Sequence, residues 1–181
     1  MLAYLRLLAK WNRAFNLTAI RDPREMVPRQ LLDSLSVLPQ LRGRRVLDVG
    51  SGAGLPGVPL AVARPDAAFV LLDANGKKVR FLRQAVLELG LANVAPVQAR
   101  VEAYRPAEPF DTIVSRAFAS LGDMVRASAR LLAPDGRWVA MKGPGERVER
   151  RDLPAGLHVD SVAVALPGLR ADHRLVIIEP A

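Results

Sequence analysis

The chain has 181 residues, of which 50% are hydrophobic, and this length predicts one domain, residues 1–181, with a substantial core. It contains no cysteine and only two histidines, which excludes disulfides, thiolate catalysis and cysteine zinc sites and predicts that no metal is bound. A net charge of +8 is typical of proteins that bind phosphate polyanions, and equally of a solvated, arginine-rich surface. We expect a cytoplasmic protein, because no apolar run of about 18 residues and no secretory signal pattern occurs.

The first 40 residues predict a helical segment. Residues 2–16 place apolar side chains near one face and basic side chains elsewhere, which is helical periodicity. Asp22 followed by Pro23 predicts the N-cap and first turn of a second helix that runs toward Leu38. Pro28 lies inside that helix and removes a backbone donor, so it predicts a kink or a fresh start just after it.

Residues 41–181 predict an α/β core. Short apolar runs alternate there with amphipathic segments, and this rhythm indicates a parallel sheet with helices on both faces. The predicted strands are RVLDVG, AAFVLLD, VAPVQA, FDTIVS and RWVAMKG.

Several capping and turn signals punctuate this core. Gly90 predicts a left-handed cap on the helix KKVRFLRQAVLEL, and Ser120 with Asp123 resembles a capping box. Residues 134–136, Pro-Asp-Gly, predict a turn before the fifth strand. The final stretch HVDSVAVALPGLRADHRLVIIE predicts an antiparallel hairpin that turns at residues 167–168.

The stretch VLDVGSGAGLPG, residues 46–57, carries the strongest functional signal. Glycines at the carboxyl end of a strand allow positive φ angles and let a ligand approach the backbone closely. The following helix adds unpaired N–H groups and the positive end of its dipole. This stretch therefore indicates a site for a cofactor that contains adenosine.

Two classes of enzyme fit that stretch. Gly52, Gly54 and Gly57 match the G-x-G-x-x-G dinucleotide fingerprint, and Asp73 follows Gly52 by 21 residues, where a ribose-binding acid belongs. A NAD(P)-dependent oxidoreductase is therefore one interpretation. Asp48 favours an S-adenosylmethionine-dependent methyltransferase instead, because a carboxylate would repel a pyrophosphate but can orient the loop and contact an ammonium group. A non-catalytic RNA-binding or ribosome-assembly protein on the same fold is a third interpretation.

Several segments, taken in order, resemble the bacterial 16S ribosomal RNA guanine-N7 methyltransferases, also known as glucose-inhibited division protein B. The resemblance covers nearly the whole chain. It implies a Rossmann-like class I methyltransferase whose mostly parallel seven-stranded sheet ends in a C-terminal antiparallel hairpin and carries an N-terminal helical extension. It also implies S-adenosylmethionine as cofactor, 16S rRNA or the small ribosomal subunit as partner, and a monomer. The segments are WNRAFNLTAIRDP, LLDSLSVLP, VLDVGSGAGLPGVPLA, LLDANGKKVRFLRQ, ARVEAY, FDTIVSRAFASL and MKG.

The resemblance assigns roles to residues of the glycine stretch and of the second strand. It implies that Gly50 and Leu55 contact the cofactor, while Gly52 and Gly54 shape the loop. Asp73 is expected to accept hydrogen bonds from the ribose hydroxyls, because one carboxylate can take both.

Further roles fall on residues that follow the third, fourth and fifth strands. Val101 and Glu102 are implied to lie beside the adenine, and Arg116 to bind the cofactor at the place where cofactor and target base meet. Lys142 is a candidate for contact with RNA phosphate or base. Gln30 departs from the family pattern, which usually has histidine there.

The implied target atom, guanine N7, has a free lone pair, so no general base is expected. Catalysis would depend on positioning the base against the methyl group and on excluding water. The RNA backbone is expected to lie along clustered basic residues. These are Arg6, Lys10, Arg13, Arg21, Arg24, Arg29, Arg147, Arg150 and Arg151.

Overall fold

A computed structural model describes residues 1–116, 118, 120–143, 149–166 and 173–181. The strands are β1 (Arg45–Val49), β2 (Ala68–Asp73), β3 (Val94–Gln98), β4 (Phe110–Ser115), β5 (Leu132–Lys142), β6 (Leu157–Ala163) and β7 (Arg174–Pro180).

These strands form one sheet in the order β3-β2-β1-β4-β5-β7-β6. The first five strands run parallel, and β7 pairs antiparallel with both β5 and β6. The predicted seven-stranded sheet with a C-terminal antiparallel pair is therefore confirmed. The turn predicted at residues 167–168 lies outside the described residues.

Helices cover both faces of this sheet. Capping follows the sequence signals: Asp22 Oδ1 accepts a hydrogen bond from Arg24 N at 2.9 Å, Ser120 Oγ accepts one from Asp123 N at 3.1 Å, and Gly90 has a φ of 63°. The helices are α1 (Leu2–Phe15), α2 (Pro23–Met26), α3 (Asp33–Leu35), α4 (Gly57–Ala63), α5 (Gly76–Leu89) and α6 (Leu121–Ser128).

The interruption predicted at Pro28 takes the form of a π-helical stretch, Val27–Leu32, which joins α2 to α3. The chain stays helical throughout, so the alternative of a fresh start after Pro28 is wrong. Proline lacks an N–H and crowds the carbonyl of the preceding turn, and the wider π winding accommodates both effects. The stretch buries Gln30, and Asp33 just after it is also buried.

The turn predicted at residues 134–136 is wrong as a strand boundary, because these residues lie within β5. Leu132 pairs with Phe110 and Arg137 pairs with Thr112, so β5 advances five residues while β4 advances two. The three extra residues form an irregularity at the strand start. Proline cannot donate to the sheet ladder, and such residues are tolerated in a strand at bulges.

The core consists of two layers, one on each face of the sheet. Helices α1, α4 and α5 bury residues such as Leu8, Leu60 and Leu82 on one face, and α6 buries Leu121 and Met124 on the other. Parallel strands covered on both faces read as continuous apolar runs, which explains why the sequence predicted them. No helix in the described ranges is long and apolar enough to cross a membrane.

Candidate functional site

The loops that leave β1, β2 and β4 meet at one edge of the sheet. Strand β1 has β2 on one side and β4 on the other, because the chain runs from β1 to β2 and β3 on one side and then crosses over to β4 on the other. Open α/β sheets bind ligands at such a switch point, at the carboxyl ends of the strands. Gly50, Asp73 and Arg116 follow or end these three strands and thus lie at this edge.

The glycine loop after β1 has the conformation that its composition indicates. Gly50, Gly52 and Gly54 have φ angles of 69°, 57° and 86°. A side chain at Gly54 is also excluded by contact, because its Cβ would lie 2.6 Å from Val58 Cγ2 and 2.9 Å from Leu82 Cδ2. Any other residue at Gly54 would therefore strain the loop and displace α4 or α5.

Backbone hydrogen bonds attach this loop to the end of β2. Gly50 N and Ser51 N donate to Leu72 O at 2.8 and 3.1 Å. Gly52 N donates to Asp73 Oδ2 at 2.9 Å, and Asp73 Oδ1 accepts from the next loop, at Asn75 N. The Asp73 carboxylate therefore fixes two loops that border one cleft.

Asp48 supports the loop from beneath. Its side chain is fully buried, its Oδ2 accepts a hydrogen bond from Gly57 N at 2.8 Å, and its Oδ1 has no partner among the described residues. Burial raises the pKa of Asp48 to about 7. The negative charge of Asp73 adds to this increase, whereas the hydrogen bond from Gly57 opposes it. The expected role in orienting the loop thus has a physical basis, and the contact with an ammonium group stays a prediction.

Tyr4 of α1 is a support of the loop that sequence reasoning missed. Its hydroxyl donates to Ala53 O at 2.6 Å, and its side chain is 1% exposed. Burial raises the pKa of Tyr4, and the nearby Asp48 adds to the increase. The residues are 49 positions apart, and a tyrosine on the apolar face of a helix gives no sign of such a partner.

A first cleft lies between the ends of β1, β2 and β3. It brings together four residues that the resemblance singled out, Gly50, Asp73, Val101 and Glu102. Asp73 is 7% and Val101 is 8% exposed, whereas Glu102 is exposed to solvent. Sequence reasoning did not assign Phe118, which also lines this cleft.

A second cleft lies between the glycine loop and the N-terminal helical segment, and it shares Gly50 with the first. Arg116 enters it from the end of β4, where its Nη2 donates to Arg29 O at 3.1 Å and lies 3.6 Å from Asp33 Oδ2. Among its lining residues are Thr18, Gln30, Ser51, Gly52, Leu55 and Arg116.

The remaining candidates lie outside both clefts. Gly54 is packed behind the loop, and Lys142 donates to Phe118 O at 3.0 Å and to Glu149 Oε2 at 2.7 Å. The Lys142 side chain is 11% exposed, so the geometry gives it a structural contact, and its contact with RNA stays a prediction.

The basic residues proposed to meet RNA are exposed along the N-terminal segment, from Arg6 to Arg29. Arg150 is half-buried and Arg151 is exposed, whereas Arg147 falls outside the described residues. No cluster of metal-ligating side chains occurs within the ranges that the structure describes.

The buried carboxyl of Asp48 makes a testable contribution to stability. Because its folded pKa lies above the unfolded value, the protonated form stabilises the fold at low pH, and this stabilisation is lost as the pH rises toward about 7. The free energy of unfolding of the unchanged chain should therefore fall between about pH 5 and about pH 8. We expect Asp48→Asn, which keeps the acceptor for Gly57, to make this fall smaller by about 1 to 3 kcal/mol.

Urea denaturation across this pH range measures the effect. The control Asp160→Asn, on an exposed position of β6, should keep the pH profile of the unchanged chain. Parallel profiles for Asp48→Asn and the unchanged chain would contradict a raised pKa at Asp48.

Comparison with known proteins identifies the family. The family model described as "GidB: rRNA small subunit methyltransferase G" matches residues 1–176. Two relatives carry the name Ribosomal RNA small subunit methyltransferase G. The one from Methylococcus capsulatus is 53% identical over 99% of this chain and 88% of its own length, and that from Enterobacter sp. strain 638 is 52% identical over 99% and 87%.

Solved structures agree on the fold. TrmN from Thermus thermophilus aligns with a TM-score of 0.70 at 23% identity, over 94% of this chain and 53% of that one. The glycopeptide N-methyltransferase MtfA complexed with S-adenosylmethionine aligns with a TM-score of 0.69 at 13% identity, over 84% and 94%. The Rossmann-like methyltransferase fold is confirmed, and the nicotinamide oxidoreductase interpretation is wrong. A family match over nearly the whole length, with relatives identical at half of their positions, shows that the chain belongs to the rRNA small subunit methyltransferase G family.

Proposed function

We propose that this chain transfers a methyl group from S-adenosylmethionine to N7 of a guanine in 16S rRNA. The observation that carries the proposal is the identity of about half the residues, over 99% of the chain, with proteins named for methylating small-subunit rRNA. The clefts add a physical basis, because one can hold the cofactor and the other adjoins it at Gly50. A ribosomal substrate implies activity in the cytoplasm, and since one chain lines both clefts, we propose a monomer.

The residues of the first cleft fit S-adenosylmethionine. Asp73 is a mostly buried carboxylate whose oxygens each accept one backbone hydrogen bond, and each retains lone pairs for ribose hydroxyls. Val101 offers an apolar surface for adenine, and Glu102 offers an acceptor for its amino group. Gly50 leaves room for the cofactor chain, because it presents no side chain at the border of the two clefts.

For this reaction the protein needs only to position the two reactants. S-adenosylmethionine supplies an electrophilic methyl group on a positively charged sulfur. The guanine N7 lone pair can attack it in line, so the residues must orient the base and exclude water, which in favourable systems lowers a barrier by about 7 to 11 kcal/mol. Leu17 and Leu55 line the second cleft with apolar surface, which serves the exclusion of water.

Arg116 is the residue that we propose to position the base. Its guanidinium lies at the carboxyl end of a parallel strand, 30% exposed, and is held by Asp33 and by Arg29 O. The exposed arginines of the N-terminal segment offer cations to the RNA backbone. Binding through them should weaken steeply as salt is raised.

The function is tested by comparing 16S rRNA from cells with and without this protein. We expect mass mapping to find one 7-methylguanosine that depends on the protein. Calorimetry should in parallel detect binding of S-adenosylmethionine and no binding of NAD. RNA affinity without cofactor heat would instead indicate a non-catalytic assembly protein and would overturn the proposal.

Arg116→Ala tests the positioning role. We expect the rate of methyl transfer to fall about a hundredfold to a thousandfold, the usual range when one oriented donor is removed from a reacting centre. The fall should persist at saturating S-adenosylmethionine, which separates the positioning of the base from the cofactor contact that the resemblance also implies for Arg116. The control Arg126→Ala removes an exposed arginine of α6 that pairs with Asp123. Full methylation by Arg116→Ala would refute this role.

A further inference from the structure

The turn after β3 is the part of the first cleft with the least support from regular structure. A helix follows each of the strands β1, β2 and β4, whereas residues 99–109, between β3 and β4, contain one short 3₁₀ turn, Val101–Ala103. This turn carries Val101 and Glu102, which line the first cleft. Short 3₁₀ turns have poor hydrogen-bond geometry, so the conformation of this one needs a further source of order.

Two arginines supply that order through backbone carbonyls. Arg130, which follows α6, donates from Nη1 to Tyr104 O at 2.7 Å and from Nη2 to Val101 O. Arg105 Nη1 donates to Glu102 O at 2.6 Å and to Tyr104 O at 3.1 Å. Three carbonyls of the turn therefore accept hydrogen bonds from charged donors, which are the stronger kind.

Arg130 has the larger part in this arrangement. Its guanidinium is planar and carries donors at both ends, so it fixes the carbonyls of Val101 and Tyr104 relative to each other. The next residue, Leu131, is 1% exposed and anchors this part of the chain in the core. Without Arg130, Tyr104 O would keep its bond from Arg105, but Val101 O would keep only the backbone bond from Tyr104 N at 3.3 Å.

The ligand contacts of the first cleft depend on this turn to different degrees. Val101 is 8% exposed and packs in the same apolar layer as α6, so packing helps to hold its side chain. Glu102 is exposed, so the backbone of the turn sets where its carboxylate lies. Arg130 does not line the first cleft and lines a different depression together with Arg105, so it acts on the cleft through the turn.

We propose that Arg130 is a positioning residue for the methyl donor: its two hydrogen bonds hold the turn in the conformation in which Glu102 accepts from the adenine amino group. The inference rests on the proposed function, which assigns the adenine to this turn. Without Arg130, the turn would be ordered only when the cofactor binds, and the cost of ordering would lower the affinity. The methyl group lies at the other end of the cofactor, so the rate at saturation would stay the same.

The test measures the affinity of S-adenosylhomocysteine and S-inosylhomocysteine by calorimetry, since the second compound has an oxygen in place of the adenine amino group. The unchanged chain should bind the adenosyl compound about tenfold or more tightly, because a site with an acceptor rejects a ligand that also presents an acceptor there. In Arg130→Ala, the affinity for the adenosyl compound should fall about tenfold. The affinity for the inosyl compound, which gains nothing from the ordered turn, should change less than about twofold, and so should kcat at saturating S-adenosylmethionine.

Two variants serve as comparisons. Arg130→Lys keeps the charge but cannot donate to both carbonyls in one plane, so its loss of affinity should be intermediate, about threefold. Arg126→Ala is the matched control, because it removes an exposed arginine of α6 that also donates to a backbone carbonyl, Asp152 O at 3.1 Å, away from the turn. It should behave like the unchanged chain.

An adenosyl preference in Arg130→Ala equal to that of the unchanged chain would overturn the inference. A lowered kcat at saturation would do so as well, because it would indicate general loosening. If Arg130→Ala does not fold, an undiminished preference in Arg130→Lys decides against the inference. Glu102→Ala should abolish the preference, and if it does not, the adenine contact within the proposed function is wrong. Failure of the unchanged chain to bind S-adenosylhomocysteine would refute the proposed function itself.

Discussion

The site depends on two aspartates that hold one glycine loop from opposite ends. Asp73 accepts a hydrogen bond from Gly52 N at the start of the loop, and Asp48 accepts one from Gly57 N where α4 begins. Between these points the glycine backbone adopts positive φ angles, and glycine has no side chain whose packing could hold that conformation. Without the two carboxylates, the loop would lose the hydrogen bonds that hold it at both ends.

The two aspartates differ in environment and therefore in chemistry. Asp73 lines a cleft, and each of its carboxylate oxygens keeps lone pairs beyond its one backbone hydrogen bond, so it can meet a ligand directly. Asp48 is sealed beneath the loop, and burial raises the pKa of its carboxyl to about 7. A charged Asp48 is thus costly near neutral pH in the ligand-free chain, and a cation bound above the loop would favour its charged form.

Sequence reasoning predicted those parts of the structure that local chemistry determines. Strands covered on both faces are continuous apolar runs, and glycine with aspartate after the first strand identifies the loop. The family resemblance added Val101 and Glu102, which share the first cleft with Asp73. Roles that depend on distant contacts were beyond prediction: Tyr4 meets Ala53, Lys142 meets Glu149, and nothing along the chain indicates either pair.

Sequence reasoning went wrong where a local rule met a wider constraint. Residues 134–136 have the composition of a turn, but pairing with β4 keeps them in the sheet as a bulge. Pro28 breaks the regular winding of its helix, yet packing keeps the chain helical by widening one stretch. That stretch places the Gln30 side chain in the protein interior. From the sequence, Gln30 was notable only because the family usually has histidine at this position.

The contact between Asp33 and His173 joins residues near opposite ends of the chain. The lining of the first cleft comes from residues no later than Phe118, whereas the carboxylate that holds Arg116 gains its histidine only once the segment before β7 exists. Chains are made from the N-terminus onward. A ribosome that synthesises this protein therefore adds all the residues that line the first cleft before it adds His173, and a chain released before His173 would lack the contact with Asp33.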